Sequence, residues 1–310
     1  MKRILSIDGG GIRGIIPARI LTELETRTGR RTHELFDLIA GTSTGGIIAL
    51  GLTLPDAQGL PVMTAADLGQ LYSQRGAEIF QRSLWRGVTT AGALIEEKYD
   101  SAPLETILLE TFGKAKLRSA LTPVLVTGYE IQDRATVFMK SWHKSFKNLE
   151  MRFAARATSA APTYFEPANI KLNGQSQAVI DGGVFVNNPA LSAYAEARRL
   201  WPEEDLYVLS LGTGKHLRSI SYSEAKGWGL AQWALPLLSC IFDGSSKAVD
   251  YQLRQLLPHD YHRLQIELTI ASDDMDNTTK GNIHNLHIEA DRLLESQSAT
   301  LEAIIARLSD

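Results

Sequence analysis

The sequence predicts an α/β protein with a mostly parallel central sheet. Short β-rich runs alternate with helix-period segments from one end to the other, the pattern of strands joined by crossover helices. Several of these runs end in glycine-rich turns that lead into a helix. The composition is that of an ordinary globular chain: 310 residues, 44% hydrophobic, 22% charged, with 25 Gly and 11 Pro. That excludes collagen-like, disordered and small disulfide-scaffold classes.

Residues 3–7 form a β-rich run ending in Asp8 and three glycines. Across 14–27, Ile15, Ile16, Ile20, Leu21 and Leu24 recur at helical spacing, and Gly29 ends the segment. A second apolar run at 36–40 leads through a glycine-rich turn into an apolar helix at 47–54. Helices are expected at 65–80 and 104–112, then strands at 123–128 and 136–139. A strand at 178–180, a helix at 187–200 and a strand at 206–211 follow. The pattern ends with a helix at 223–242, a strand at 262–268 and a helix at 284–308. No internal repeat or linker interrupts it, so 81–93 and 272–281 read as surface excursions. Residues 1–310 are expected to form a single domain, with the motif-bearing core at about 3–214 and carboxyl-terminal helical elements at about 223–308.

Lys plus Arg number 32 and Asp plus Glu 35, a formal charge of −3. No basic excess exists to neutralise many phosphates, so a nucleic-acid polymer is not the expected partner. Cys240 is the one cysteine; it cannot form an internal disulfide, which fits a reducing compartment. Asp8 interrupts the apolar start that a signal peptide needs. The longest apolar stretch, 228–242, is too short to span a bilayer and contains Gln232 and Pro236. A soluble, cytoplasmic protein is expected. No His/Cys spacing resembles a zinc site, and neither metal nor cofactor is expected.

Three glycine-rich sequences carry the chemistry. Asp8-Gly9-Gly10-Gly11-Ile12-Arg13-Gly14 sits at a strand-to-helix junction. Its glycines let main-chain N–H groups converge on an anion, whether phosphate or developing oxyanion, at a helix N-terminus. Arg13 adds a fixed charge nearby. Gly9, Gly11 and Gly14 also match a dinucleotide fingerprint, but the acidic residue that fold wants at the end of the second strand is absent: Asp37 lies at the wrong end of that strand, before Leu38-Ile39-Ala40. Gly41-Thr42-Ser43-Thr44-Gly45 matches the G-x-S-x-G nucleophile elbow, with Ser43 alternatively capping the next helix. Asp181-Gly182-Gly183 follows a strand, at the edge where α/β proteins build sites, but alone it reads more readily as a turn aspartate bonding its own backbone.

Together these segments resemble the patatin-like phospholipases, serine lipid acyl hydrolases that use a Ser–Asp dyad. The resemblance rests on Asp8 to Gly14, Gly41 to Gly45, Asp181 to Gly183, and the alanine-rich run from Ala155 through Ala161 to Pro162-Thr163-Tyr164-Phe165. It implies a three-layer α/β/α sandwich, with Ser43 as nucleophile and Asp181 as base. Gly9, Gly10, Gly11 and Arg13 would form the oxyanion site, supported by Gly41, Gly45, Gly182 and Gly183. It further implies a phospholipid membrane or lipid substrate, with peripheral membrane contact during action. The chain looks most like bacterial members, some of which are effectors of anti-phage signalling switched on by a cyclic dinucleotide. Arg75, Arg82, Arg86 and Lys98 are the basic candidates for such an activator, although scattered basic residues are usually a solvated face.

An aspartate near its reference pKa of about 3.9 is a poor base for a hydroxyl. A dry pocket would raise it, and the proton could pass only as Ser43 bonds to the ester carbonyl. His33, His143, His216, His259, His262, His284 and His287 are the alternative bases of a Ser–His–Asp triad. A soluble thioesterase or acyltransferase would use the same acyl-enzyme. So, at the other extreme, a non-catalytic nucleotide-binding effector would keep the fold alone. Trp228, Leu230, Trp233, Leu237, Leu238, Ile241 and Phe242 recur at near-helical spacing, as a buried helix, a homodimer face or an interfacial helix. The long gap between Leu54 and Thr122 could supply lid elements over Ser43.

Overall fold

The computed structural model describes residues 1–80, 98–172, 174–215 and 219–309. The expected excursion 81–93, with Arg82 and Arg86, lies wholly outside those residues, as does His216.

Eight strands make one sheet: β1 (Lys2–Ile7), β2 (Leu38–Gly41), β3 (Val124–Glu130), β4 (Ala135–Lys140), β5 (Ala168–Leu172), β6 (Gln175–Asp181), β7 (Leu206–Leu211) and β8 (Tyr261–Leu264). Their order is β5-β6-β3-β2-β1-β7-β8, with β4 also paired to β3. The central β3, β2, β1, β7 and β8 are parallel, and β4 and β6 run antiparallel to β3.

Strand side chains alternate between two faces, and both faces are buried. Leu5, Ile7, Ile39, Val124, Val126, Leu209 and Leu211 join one core. It is closed by α1 (Ile15–Thr28), α3 (Thr44–Leu52), α4 (Ala65–Ile79), α5 (Ala102–Phe112) and α6 (Met151–Thr158). Ile4, Leu38, Ala40, Leu125 and Val208 face the other way, onto α7 (Ala190–Leu200) and α9 (Leu230–Leu256). The remaining helices are α2 (Thr32–Leu35), α8 (Tyr222–Ala225), α10 (Lys280–Ser296) and α11 (Ser298–Ser309). Leu286 and Leu293 of α10 and Ile304 of α11 complete the first core. The result is the expected three-layer α/β/α arrangement.

Some boundaries differ from the sequence expectation. The helix expected at 223–242 is two helices, because Gly227 and Gly229 break it, and α9 continues to Leu256. Its continuation, beginning Asp243-Gly244-Ser245-Ser246, is too polar to read as helical from periodicity. The final helix is interrupted at Gln297. The strand expected at 262–268 is Tyr261–Leu264. β5 and α6 went unanticipated.

The register around β3 positions the site. β4 flanks one edge of β3 throughout, while β2 and β6 share the opposite edge. Gly41 pairs with Val126 and Asp181 pairs with Gly128. The carboxyl ends of β2 and β6 therefore approach one another head-on, one residue of β3 apart. Thr127 fills that interval, and its Oγ1 lies 2.8 Å from Thr42 Oγ1.

Candidate active site

Ser43 follows β2 and precedes α3, as an elbow requires. Its backbone adopts φ 54°, ψ −123°, a region costly for a side-chain-bearing residue and characteristic of functional sites. Close packing enforces the turn: a Cβ on Gly41 would lie 2.1 Å from the Gly45 carbonyl oxygen. The Ser43 amide donates to Thr158 Oγ1 at 2.9 Å. Ser43 itself is only 9% exposed.

Asp181 ends β6 and is fully buried. Its amide donates to the Ala160 carbonyl at 2.9 Å, and its Oδ1 accepts the Gly183 amide at 2.7 Å. Gly182 packs against Thr127. Burial pushes the carboxyl pKa up to about 7, and the Ser43 hydroxyl and Gly183 amide pull it back only part-way. Oδ2, however, has no partner of full hydrogen-bond geometry. Ser43 is thus near enough to favour the carboxylate without being clamped to it, a looseness common in unliganded sites. Ser43 and Asp181 line one cleft with Ile47, Phe80, Leu104 and Phe165. The cleft is apolar and narrow, admitting about 50 Å³ of solvent.

The glycine loop abuts the nucleophile: a Cβ built on Gly9 would sit 3.2 Å from Ser43 Cβ. Its amides are not equivalent. Gly9 N–H donates to the Asn187 carbonyl at 3.1 Å, and Ile12 N–H to the Met275 carbonyl at 2.8 Å. The amides of Gly10 and Gly11 have no acceptor among the described residues. Gly11, with φ 58°, adopts a left-handed conformation that glycine alone enters cheaply, and it lines the cleft. Arg13 is buried, and its Nε and Nη1 donate to the carbonyls of Gly10 and Gly214 respectively, each at 3.3 Å. Arg13 and Gly9 brace the loop, and of Gly9, Gly10, Gly11 and Arg13 only Gly11 lines the cleft.

Asp8 belongs to the same loop but serves a different end. Arg263 of β8 grips it with two bonds, of 3.2 and 2.5 Å. Burial pushes the Asp8 carboxyl up while Arg263 pulls it back. The pairing in turn holds the Arg263 guanidinium above its usual value. Ser246 of α9 donates to Asp8 as well, at 3.4 Å.

Sequence reasoning missed four supports. Thr158 and Ala160 give the alanine-rich segment its role, one holding the Ser43 amide and the other the Asp181 amide. Asn187 ties the glycine loop to α9 through Ser246 Oγ, at 3.1 Å. The stretch 272–281, expected as a surface excursion, instead brings Met275 against Gly11 and into the cleft. Thr158 and Ala160 lie in the alanine-rich run that carries the resemblance and Asn187 follows the Asp181 motif, whereas Met275 carried no sequence signal.

No described histidine lines the cleft. His287 contacts Ser73, His143 accepts from the Ser145 amide, and His262 packs against Tyr207. Of the described basic candidates, Arg75 pairs with Glu78 and Glu110, and Lys98 pairs with Asp276. Among the described residues there is no metal-ligating cluster, and no helix is long and apolar enough to cross a membrane.

Comparison with known proteins agrees with the motifs. The family model "Patatin-like phospholipase" matches residues 5–194. The chain belongs to the patatin-like phospholipase family. It is 33% identical to patatin-like protein 4 of Arabidopsis thaliana, over 94% of this chain and 83% of that protein. It is 31% identical to patatin-like protein 2 of Oryza sativa subsp. indica, over 97% and 86% respectively. A third relative, at 33% identity over 82% of this chain and 74% of its own, is named probable inactive patatin-3-Kuras 1, of Solanum tuberosum. Among solved structures, VipD from Legionella pneumophila aligns over 95% of this chain and 67% of that one, with a TM-score of 0.40 and 14% identity. Membership in a patatin-like family supports lipid acyl hydrolysis as the activity.

Proposed function

We propose that this protein cleaves carboxylic ester bonds of phospholipids through a Ser43–Asp181 dyad and an acyl-enzyme intermediate. The observation that carries the reading is a serine on a strained elbow sharing one apolar cleft with a buried aspartate whose pKa is raised to about 7. That value makes Asp181 a far better proton acceptor near neutrality than an ordinary carboxylate. As Ser43 Oγ bonds to the ester carbonyl, its proton passes to Asp181. The negative charge forming on the carbonyl oxygen is taken by the Gly10 and Gly11 amides, helped by the N-terminal dipole of α3. Collapse of the tetrahedral intermediate breaks the ester C–O bond, and Asp181 returns the proton to the leaving alcohol. Water then attacks the acyl-enzyme, giving its proton to Asp181. Collapse releases the fatty acid and returns the proton to Ser43.

Because one relative is named as probably inactive, activity must be measured. Purified protein is expected to release fatty acid from mixed phospholipid vesicles, and Ser43→Ala to release none. Release by Ser43→Ala at the wild-type rate would sink the dyad. Release from soluble acyl esters alone would move the reading to a thioesterase or acyltransferase. The same assay with a panel of cyclic dinucleotides tests a nucleotide switch; equal rates with and without nucleotide would remove it. The pairing of Arg75 and Lys98 with carboxylates gives that switch no support at those residues.

A further inference from the structure

The exposed apolar face at the start of α9 has no role in the dyad chemistry. At 3.6 residues per turn, Leu230, Trp233, Leu237 and Ile241 fall within an arc of about 80°. Their exposures are 95%, 37%, 49% and 37%. Leu238, Phe242, Ser246, Val249 and Leu253 are buried on an arc centred about 140° away. Residues 227–242 contain no Asp, Glu, Lys or Arg, which is unusual for an exposed helical segment.

The placement of this stripe is specific. Val249 and Leu253 pack with Val208 and Tyr261 against the sheet. Nearer the start of the helix, Ser246 bonds Asp8 at the carboxyl end of β1, and Phe242 packs on Gly183 beside Asp181. α9 therefore runs antiparallel to β7 and β8 and passes the catalytic edge at 242–246. From residue 242 back to Leu230, about 18 Å of helix projects beyond that edge.

We infer that Leu230, Trp233, Leu237 and Ile241 dock this protein on a lipid surface and bring the catalytic edge against it. This rests on the reading of the site as a lipid hydrolase. A stripe about 17 Å long and about 10 Å wide presents far less than the roughly 800 Å² per partner of a stable protein interface, which disfavours a second copy. The uncharged run suits the head-group and acyl boundary, where Trp228 and Trp233, in edge contact at 5.0 Å, sit well. The same helix reaches the catalytic loops through Phe242, Ser245 and Ser246, so docking fixes the site's orientation to its substrate.

The test uses full-length protein carrying Ser43→Ala, so that no product forms, in flotation with phosphatidylcholine vesicles. Leu230→Asp and Leu237→Asp are each expected to lower partitioning roughly tenfold or more. In the catalytically intact background the same substitutions should lower vesicle hydrolysis in proportion and leave turnover of a water-soluble short-chain ester unchanged. Both sites are exposed, and thermal melting checks that folding is retained. Undiminished partitioning of both variants would overturn the proposal. So would loss of a dimer by light scattering with vesicle binding intact, since the stripe would then be a self-association face. A wild-type protein inactive on the soluble ester would count against the hydrolase reading, while flotation of the Ser43→Ala protein would still report docking.

Discussion

Asp8 directly follows β1 and Asp181 ends β6, each immediately precedes a run of glycines, and both are buried at the same edge of the sheet. Their surroundings are opposite. Asp8 has a guanidinium and a serine hydroxyl on its carboxylate. Asp181 has one backbone amide, a loosely placed hydroxyl and an oxygen with no partner. The same side chain is a structural anchor where a buried cation faces it and, in the proposed mechanism, a base where none does. The difference lies in what β8 and the glycine turns bring to each position.

Neutral substitutions at the two positions should separate these roles. Asp181→Asn and Ser43→Ala are expected to reduce kcat by about 10³-fold or more while leaving the protein folded, about 4 kcal/mol of barrier. Steady-state kinetics on vesicles and on a soluble ester, with circular dichroism, check this. An Asp181→Asn enzyme within tenfold of wild type would show that another group accepts the proton.

Asp8→Asn should act on stability first. It strands a buried guanidinium that cannot shed its proton, a loss of about 3–5 kcal/mol, read by denaturant unfolding. Arg263→Met should cost less, because the abandoned Asp8 carboxyl can take up a proton. Its folded pKa would then lie further above its unfolded value. Stability would be kept at low pH and lost as pH rises through the folded pKa. A larger loss from Arg263→Met than from Asp8→Asn would contradict this picture of the pair.

The raised pKa of Asp181 makes a paired prediction. The folded protein binds this proton more tightly than the unfolded chain, whose aspartates titrate near 3.9. Asp181 therefore favours folding below about pH 4 and increasingly disfavours it as pH rises to about 7. Asp181→Asn should thus stabilise the protein at pH 8, by up to about 4 kcal/mol, and lose that advantage at pH 4. Catalysis needs the deprotonated form, so kcat/KM of the wild type should fall about tenfold per pH unit below 7. A pH–rate limb near 4, with no stability gain in the variant, would mean the carboxylate is better solvated than its burial implies.

The proposed dyad is legible in the sequence because each member sits in a short local pattern, Ser43 in its elbow and Asp181 before two glycines. It could not separate the loop amides. Gly9, Gly10 and Gly11 look alike in one dimension, and only the fold reveals that Asn187 takes the first amide. The direction of β6 was hidden for the same reason. The motif marks Asp181 as following a strand without giving that strand's direction, and β6 runs against β3 and reaches Ser43 from the opposite direction. Periodicity carried α1, α3 and α7 well because their buried faces are apolar. It failed over the second half of α9, where Ser245 and Ser246 are turned inward as hydrogen-bonding groups for Asn187 and Asp8.

The smallest expected effect tests whether the elbow needs outside support. Thr158 Oγ1 accepts the amide of Ser43, a residue already in a costly backbone conformation. Thr158→Val preserves shape and burial but removes the acceptor, leaving an N–H unsatisfied at about 1–3 kcal/mol. If part of that strain relaxes by moving Ser43 Oγ away from Asp181, kcat should drop about tenfold with KM little changed, and Thr158→Ser should restore it. A purely structural role would lower the melting temperature of Thr158→Val without changing kcat at permissive temperature. In that case β2 and the close approach of Gly41 to Gly45 would be sufficient to hold the nucleophile, and the alanine-rich segment would matter for Asp181 alone, through the Ala160 carbonyl.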